Sequence, residues 1–235
     1  MSKEKQRLLV VEDEAAIRTG LVDVFLYHGY EVESAADGHE GLEKSLSGRF
    51  DLILLDVMLP GMDGFEICRR IRRHDRQQPI IMLTAKGRDE EVIQGLTLGA
   101  DDYVTKPFSV AQLVLRVQAV LRRAHPEAED EDEAIRLATG VTIDPANLAG
   151  EREGEPLSFT RREMALLRYL HAHSGRAVSR EELLHKVWGY ARNLEIETRT
   201  VDIHIAKLRR KIESDPAEPR ALVTVRGAGY RLLSG

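Results

Sequence analysis

Leu52-Ile53-Leu54-Leu55-Asp56-Val57-Met58-Leu59-Pro60-Gly61-Met62-Asp63-Gly64 is the stretch that decides the fold. Its aliphatic run has no polar alternation and reads as a strand buried on both faces. Pro60, Gly61 and Gly64 then break it. Asp56 falls at the carboxyl end of a central strand, where open α/β sheets place their ligands. An ionised carboxylate is costly to bury there unless something pairs with it.

Working outward, further strands are expected over residues 7–12, 30–35, 79–84 and 102–105. Helical spacing appears through Ile17, Leu21, Val24 and Phe25, and again over 37–46, 64–73, 89–98 and 109–123. Strands alternating with helices imply right-handed crossovers and a parallel sheet covered on both sides. Five such units predict an α/β, flavodoxin-like doubly wound sheet of order 2-1-3-4-5. On that topology the strand ends bring Glu12, Asp13, Asp56, Thr84 and Lys106 to one crevice. Carboxylates so close repel by roughly 4 kcal/mol per pair at an effective dielectric of 20, which favours a cation. Oxygen ligands with open positions suit Mg²⁺. With Lys106 it would neutralise a phosphoryl group while Asp56 attacks as a carboxylate nucleophile, and Thr84 would donate its hydroxyl to a phosphoryl oxygen. Any one of these residues alone would more often be a cap, a surface lysine or a strand-end hydrogen-bonder; their joint placement carries the reading.

Composition bounds the rest. The 235 residues suffice for two domains, and 43% hydrophobic with 31% charged residues is ordinary for a soluble globular chain. No apolar run approaches the roughly 20 residues of a membrane span, so no membrane partner is expected. The start of the chain lacks the apolar core of a signal peptide. A single cysteine, Cys68, rules out an internal disulfide and fits a cytoplasmic location. Residues 1–123 are read as the first domain, 124–133 as an acidic linker and 134–235 as a second domain. Charge supports the division: residues 124–139 hold 1 basic and 6 acidic side chains, whereas 140–235 hold 16 and 13. A mildly basic second domain favours a polyanionic partner.

That second domain opens with strand-like pieces at 135–137 and 141–143, which suggest a small antiparallel sheet. Thr160 to Glu163 and Ser179 to Glu182 each have the pattern of a capping box opening an amphipathic helix. Over 198–212, Val201, Ile205, Leu208 and Ile212 form a core-facing stripe. Arg199, Ile203 and Arg210, flanked by Thr200, His204, Lys207 and Lys211, are expected on the outward face. Such a mixture suits a DNA major groove, although a solvated charged face has the same composition. Residues 222–225 and 230–233 form a hairpin whose tip carries Arg226, placed to enter a minor groove or meet a phosphate.

Two resemblances follow. Val10-Val11-Glu12-Asp13-Glu14, Asp56 to Gly64, Leu83-Thr84-Ala85 and Asp101-Asp102-Tyr103-Val104-Thr105-Lys106-Pro107-Phe108 resemble the signatures of two-component receiver domains. The run from Thr198 to Ile212, with Val225-Arg226-Gly227-Ala228-Gly229-Tyr230-Arg231, resembles the winged helix-turn-helix effector of OmpR/PhoB response regulators, an α+β domain. The first resemblance implies phosphorylation of Asp56 by a sensor histidine kinase, with Asp13, Asp56 and the Met58 carbonyl around Mg²⁺ and Glu12 acting largely through water. It implies that Thr84 and Tyr103 move together on phosphorylation, and that the Lys106–Pro107 bond is cis. It also implies a homodimer on phosphorylation, with Asp101, Asp102, Arg116 and Arg123 on the face of helix 89–98, strand 102–105 and helix 109–123. Val92 and Gln112 stand where a further basic–acidic pair is usual. The second resemblance implies sequence-specific binding to double-stranded DNA, the 198–212 helix in the major groove and the wing in the minor groove, with the 188–197 loop able to meet RNA polymerase. A regulator of transcription, not an enzyme, is therefore expected. Two rivals stay open: an aspartyl-phosphate hydrolase, whose haloacid-dehalogenase type has an acid where this chain has Met58, and a winged domain that binds only protein.

Overall fold

In the computed structural model β3 (Leu52–Asp56) is buried at every residue, as an uninterrupted aliphatic run requires. The structure describes residues 5–85, 98–124, 134–189 and 199–235. These fall into two units, one within residues 1–125 and the other within 126–235. Most of the helix expected over 89–98, including Val92, and the linker from 125 onward lie outside the described residues.

The first unit holds β1 (Arg7–Val11), α1 (Ala15–Tyr27), β2 (Glu31–Ala35), α2 (Gly38–Ser45), β3, α3 (Gly64–His74), β4 (Ile80–Ala85), β5 (Asp102–Lys106) and α4 (Val110–Ala124). The strands form one parallel sheet in the expected order β2-β1-β3-β4-β5. Alternate strand residues Leu8, Val10, Leu52, Leu54, Ile81 and Leu83 pack with Leu21 and Phe25 of α1 and Leu113 and Val117 of α4. The intervening Leu9, Val11, Ile53, Leu55 and Met82 are buried as well. Both faces are therefore covered, which is why these strands show no polar alternation.

Turn chemistry sets the loop after β3. Gly64 donates its N–H to the Val57 carbonyl at 3.0 Å, and Asp63 caps α3 by accepting from the Glu66 N–H. A Cβ on Gly64 would lie 2.2 Å from the Asp56 carbonyl oxygen, so the backbone approach that aims Asp56 demands glycine.

In the second unit, β6 (Ile135–Arg136), β7 (Thr142–Asp144), β8 (Ala149–Arg152) and β9 (Glu155–Ser158) form an antiparallel sheet. The sequence pattern shows only the first two. The missed hairpin turns at Glu153 and Gly154, both with positive φ (54° and 85°), the signature of a tight two-residue turn. Next come α5 (Arg161–Ala172), α6 (Arg180–Lys186), α7 (Arg199–Ile212) and the wing hairpin β10 (Leu222–Val225) and β11 (Gly229–Leu232). Val201, Ile205, Leu208 and Ile212 enter the core with Leu167, Leu170, Leu183 and Trp188. The Thr160–Glu163 capping box is complete. At Ser179 only half of the box forms: its hydroxyl accepts from the Glu182 N–H, but the Glu182 carboxylate turns to the Tyr169 hydroxyl at 2.7 Å and to Arg176. A neighbouring cation and hydroxyl outbid the local backbone N–H.

Two glycine substitutions should act with opposite sign. Gly64→Ala should destabilise the first unit by at least about 1–3 kcal/mol through overpacking. Gly20→Ala, in mid-helix with nothing within 4 Å of an added Cβ, should stabilise it by about 0.5–1 kcal/mol. Urea unfolding followed by circular dichroism would measure both shifts.

Candidate functional site

Three strands of the parallel sheet, β1 and β3 side by side and β5 beyond β4, end at one level. β1 is followed by Glu12 and Asp13, β3 ends in Asp56, and β5 ends in Lys106; the registers Val11 with Leu55, Asp56 with Leu83 and Ala85 with Lys106 align them. Glu12 and Asp56 are buried, while Asp13 is exposed at the rim. The Lys106 ammonium sits 2.7 Å from Asp56 Oδ2 and 2.8 Å from Glu12 Oε1. Asp56 Oδ1 accepts the Met58 N–H at 3.2 Å. Arg18 of α1 braces the β1–α1 loop by donating to the carbonyls of Glu12 and Asp13 at 2.7 and 2.9 Å.

The electrostatics follow from this geometry. Burial pushes the Glu12 carboxyl up and the charge of Asp56 adds to the rise, with the Lys106 hydrogen bond only partly opposing them. Burial alone would lower Lys106, but its hydrogen bonds to Asp56 and Glu12 outweigh that, and its net shift is upward. One oxygen each from Glu12, Asp13 and Asp56 lies within 4.8 Å of the others. Glu12 Oε2 is buried and accepts no hydrogen bond, though the Lys106 ammonium lies 2.7 Å away. An all-oxygen cluster with spare acceptor capacity fits a hard divalent cation. Thr84 is buried at the end of β4, and Tyr103 is buried on β5. The Lys106–Pro107 bond is cis.

In the second unit, α7 is tied to its surroundings by charged pairs. Glu163 is fully buried in the first turn of α5 and meets Lys207 at 3.0 Å and Lys211 at 2.7 Å. His204 is buried edge-on against Trp188, and Arg162 lies over the same indole. On another side of α7, Asp202 accepts from Arg180 and from the Tyr230 hydroxyl, both at 2.6 Å, which joins helix, α6 and wing. Burial, reinforced by the bond to Asp202, pushes the Tyr230 phenol up to about 12.

Comparison with known proteins agrees with both halves. The family model for the response regulator receiver domain matches residues 8–118, and that for the transcriptional regulatory protein C terminus matches 154–232. The solved structure of DrrB, an OmpR/PhoB homologue from Thermotoga maritima, is 32% identical, covering 97% of this chain and 99% of that one at a TM-score of 0.52. The chain belongs to the OmpR/PhoB response regulators. A RitR mutant structure is 28% identical over 98% of this chain and 100% of its own, at a TM-score of 0.73. An OmpR/PhoB-type chain of this kind is a two-component regulator of transcription, not an enzyme in the ordinary sense. No described helix is long and apolar enough to cross a membrane.

Against this family frame, the residues expected from sequence divide in two. Glu12, Asp13, Asp56 and Lys106 do converge, with Thr84 on the adjacent strand end. Asp101, expected on a dimer face, is buried within the single chain and held by Arg72 at 3.1 Å and by the Ile80 N–H at 2.9 Å. Asp102 is buried and paired with Arg116 at 2.8 Å; the Arg123 side chain lies outside the described residues. On α7 the expected outward face needs correction. Thr200, Ile203, His204 and Lys207 are buried, and Lys211 is drawn to Glu163 and the Ser158 carbonyl. A helical wheel places residues by angle and does not show that α5 covers this second flank. Arg210 and Arg226 are exposed as expected; the Arg199 side chain and residues 190–198 lie outside the described residues. Sequence reasoning missed Arg18, Arg72 and Asp202, whose partners are distant or are backbone carbonyls, and saw Glu163 only as a cap.

Two buried groups give the second unit an acid limb. Burial holds the His204 imidazole down at about 4. For Glu163 burial works upward, but Lys207 and Lys211 outweigh it and hold the carboxyl at about 2. Both groups bind protons more weakly folded than unfolded, so stability falls as pH drops from 6.5 towards 4, and again from 4.5 towards 2. Each step is on the order of 3 kcal/mol. Urea midpoints read by the single tryptophan, Trp188, should show both declines; His204→Phe should remove the first and Glu163→Gln the second.

Proposed function

We propose that Asp56 is the phosphoacceptor of a two-component relay and that its phosphorylation by a cognate sensor histidine kinase controls DNA occupancy by the second unit. The observation that carries this is the Lys106 ammonium on both Asp56 and Glu12 at the strand ends. Asp56 would attack phosphorus through one carboxylate oxygen, the bond to the donor would break, and an acyl phosphate would form. Lys106 would follow the incoming phosphoryl oxygens, and the Thr84 hydroxyl would donate to one of them. Asp13, Asp56 and the Met58 carbonyl would hold Mg²⁺, with Glu12 behind them. When bound, the ion supplies charge neutralisation to the transferring group. Tyr103 would move with Thr84, biasing the face formed by residues 89–98, β5 and α4 towards a homodimer. Asp102, Arg116 and Arg123 stay candidates for that face, whereas Asp101 would have to leave Arg72 to join it.

For DNA, Arg210 on α7 and Arg226 on the wing are the exposed cations that would meet the duplex, together with Arg199 at the start of α7. Two copies would occupy half-sites about 10–10.5 bp apart. A cytoplasmic location and contact between the 188–197 loop and RNA polymerase complete the reading.

Treating the full chain with a small acyl phosphate and Mg²⁺ should add one phosphoryl mass at Asp56. Asp56→Asn or chelation should abolish it; labelling that survives in Asp56→Asn would refute the assignment. Footprinting should then show salt-sensitive protection of duplex DNA. Arg226→Ala should weaken binding and lower the salt slope by about 1, while leaving phosphorylation intact.

A further inference from the structure

The side of α7 that turns towards α5 carries two lysines one helical turn apart, and both end on a single carboxylate. Glu163 is 0% exposed; Lys207 and Lys211 are 10% and 27% exposed and lie 3.0 and 2.7 Å from it. Glu163 is also fixed by the backbone: Oε2, the oxygen that meets Lys211, accepts the Thr160 N–H at 2.8 Å within the capping box. Lys211 is held further by the Ser158 carbonyl at 2.8 Å and sits over the Phe159 ring. For a DNA phosphate to claim either lysine, it would have to leave a buried carboxylate short of a partner. That penalty exceeds what one exposed lysine–phosphate contact returns.

We infer that Glu163 is a positioning residue that withholds Lys207 and Lys211 from DNA phosphates. The inference rests on the DNA-binding reading of α7 and sharpens it. Charge of this kind, if free, would attract any duplex without regard to sequence, because phosphate contacts carry no base information. Tying it back keeps non-specific affinity low and leaves discrimination to other groups, Arg210 and Arg226 among them. The same clamp fixes the rotation of α7 about its axis, since residues four apart share one face.

The test is the salt dependence of binding to a duplex of arbitrary sequence, with the full chain. Glu163→Gln should free both lysines and steepen the slope of log K against log salt by roughly 1–2 units, at about 0.9 per phosphate neutralised. Glu163→Asp, which keeps the charge, should stay near the parent slope. A folded Glu163→Gln protein with an unchanged or shallower slope would overturn the inference. A purely structural role would lower stability without steepening the slope. Should Glu163→Gln not fold, the unaltered protein decides through its lysine reactivity. Under an amine-acetylating reagent, Lys207 and Lys211 should react slowly and at the same rate with or without DNA. Fast acetylation in the free protein, or DNA-dependent protection of either lysine, would refute the clamp. Absence of any salt-sensitive DNA binding by the unaltered protein would count against the DNA reading alone, because acetylation of the free protein reads the clamp without DNA.

Discussion

One ammonium group makes the first unit possible. Glu12 and Asp56 are buried carboxylates that face each other across adjacent strand ends, and Lys106 lies within 2.8 Å of both. Without it, repulsion of roughly 4 kcal/mol at an effective dielectric of 20 would add to two desolvation penalties. The lysine comes from β5, with β4 lying between it and the strand that carries Asp56. The two contacts therefore work only if four strands, β1, β3, β4 and β5, stay in register. A one-residue slip in any of them would turn its terminal side chain to the opposite face. Fold and site are thus the same constraint, and the uninterrupted aliphatic runs of β1 and β3 keep the strands in place.

The second unit meets the inverse problem, with one buried carboxylate between two cations. The difference in surroundings separates the two roles. Around Asp56 the rim is open: Asp13 is exposed and the Met58 side chain is 59% exposed, so charge there can be exchanged for a ligand. Around Glu163 the carboxylate is sealed by α5, α7 and the Ser158–Phe159 segment, so charge there holds elements together. Similar chemistry leaves a cluster open to solvent in one setting and makes a fastening in the other, according to access.

How much was legible in the sequence follows from how local each feature is. Strands buried on both faces announce themselves, and the sheet order follows from their alternation with helices. The converging acids and Lys106 were readable because each sits at a strand end, a position that the pattern locates. The hairpin of β8 and β9 was not, since Ala149 to Ser158 has no β-branched residue and depends on two positive φ angles. Nor was the true exposure of α7. His204, Lys207 and Lys211 look like solvent-facing residues, but their partners lie on α5 and around Trp188, tens of residues away in the chain. The Thr160–Glu163 spacing marks Glu163 as a cap, which it is; its pairing with Lys207 and Lys211 is a contact that no local pattern encodes.

The wing hairpin is stitched in at its base. Val178 and Tyr230 exchange backbone hydrogen bonds at 2.7 and 2.9 Å, and a Cβ on Gly229 would come 2.0 Å from the Val178 carbonyl. Gly227 and Ala228, by contrast, are exposed beside Arg226. The hairpin is divided between an anchored root and a free tip only a few residues long. Tip residues can be exchanged without disturbing the core, so the surface chemistry of the wing can change through a handful of side chains on a mounting that stays the same.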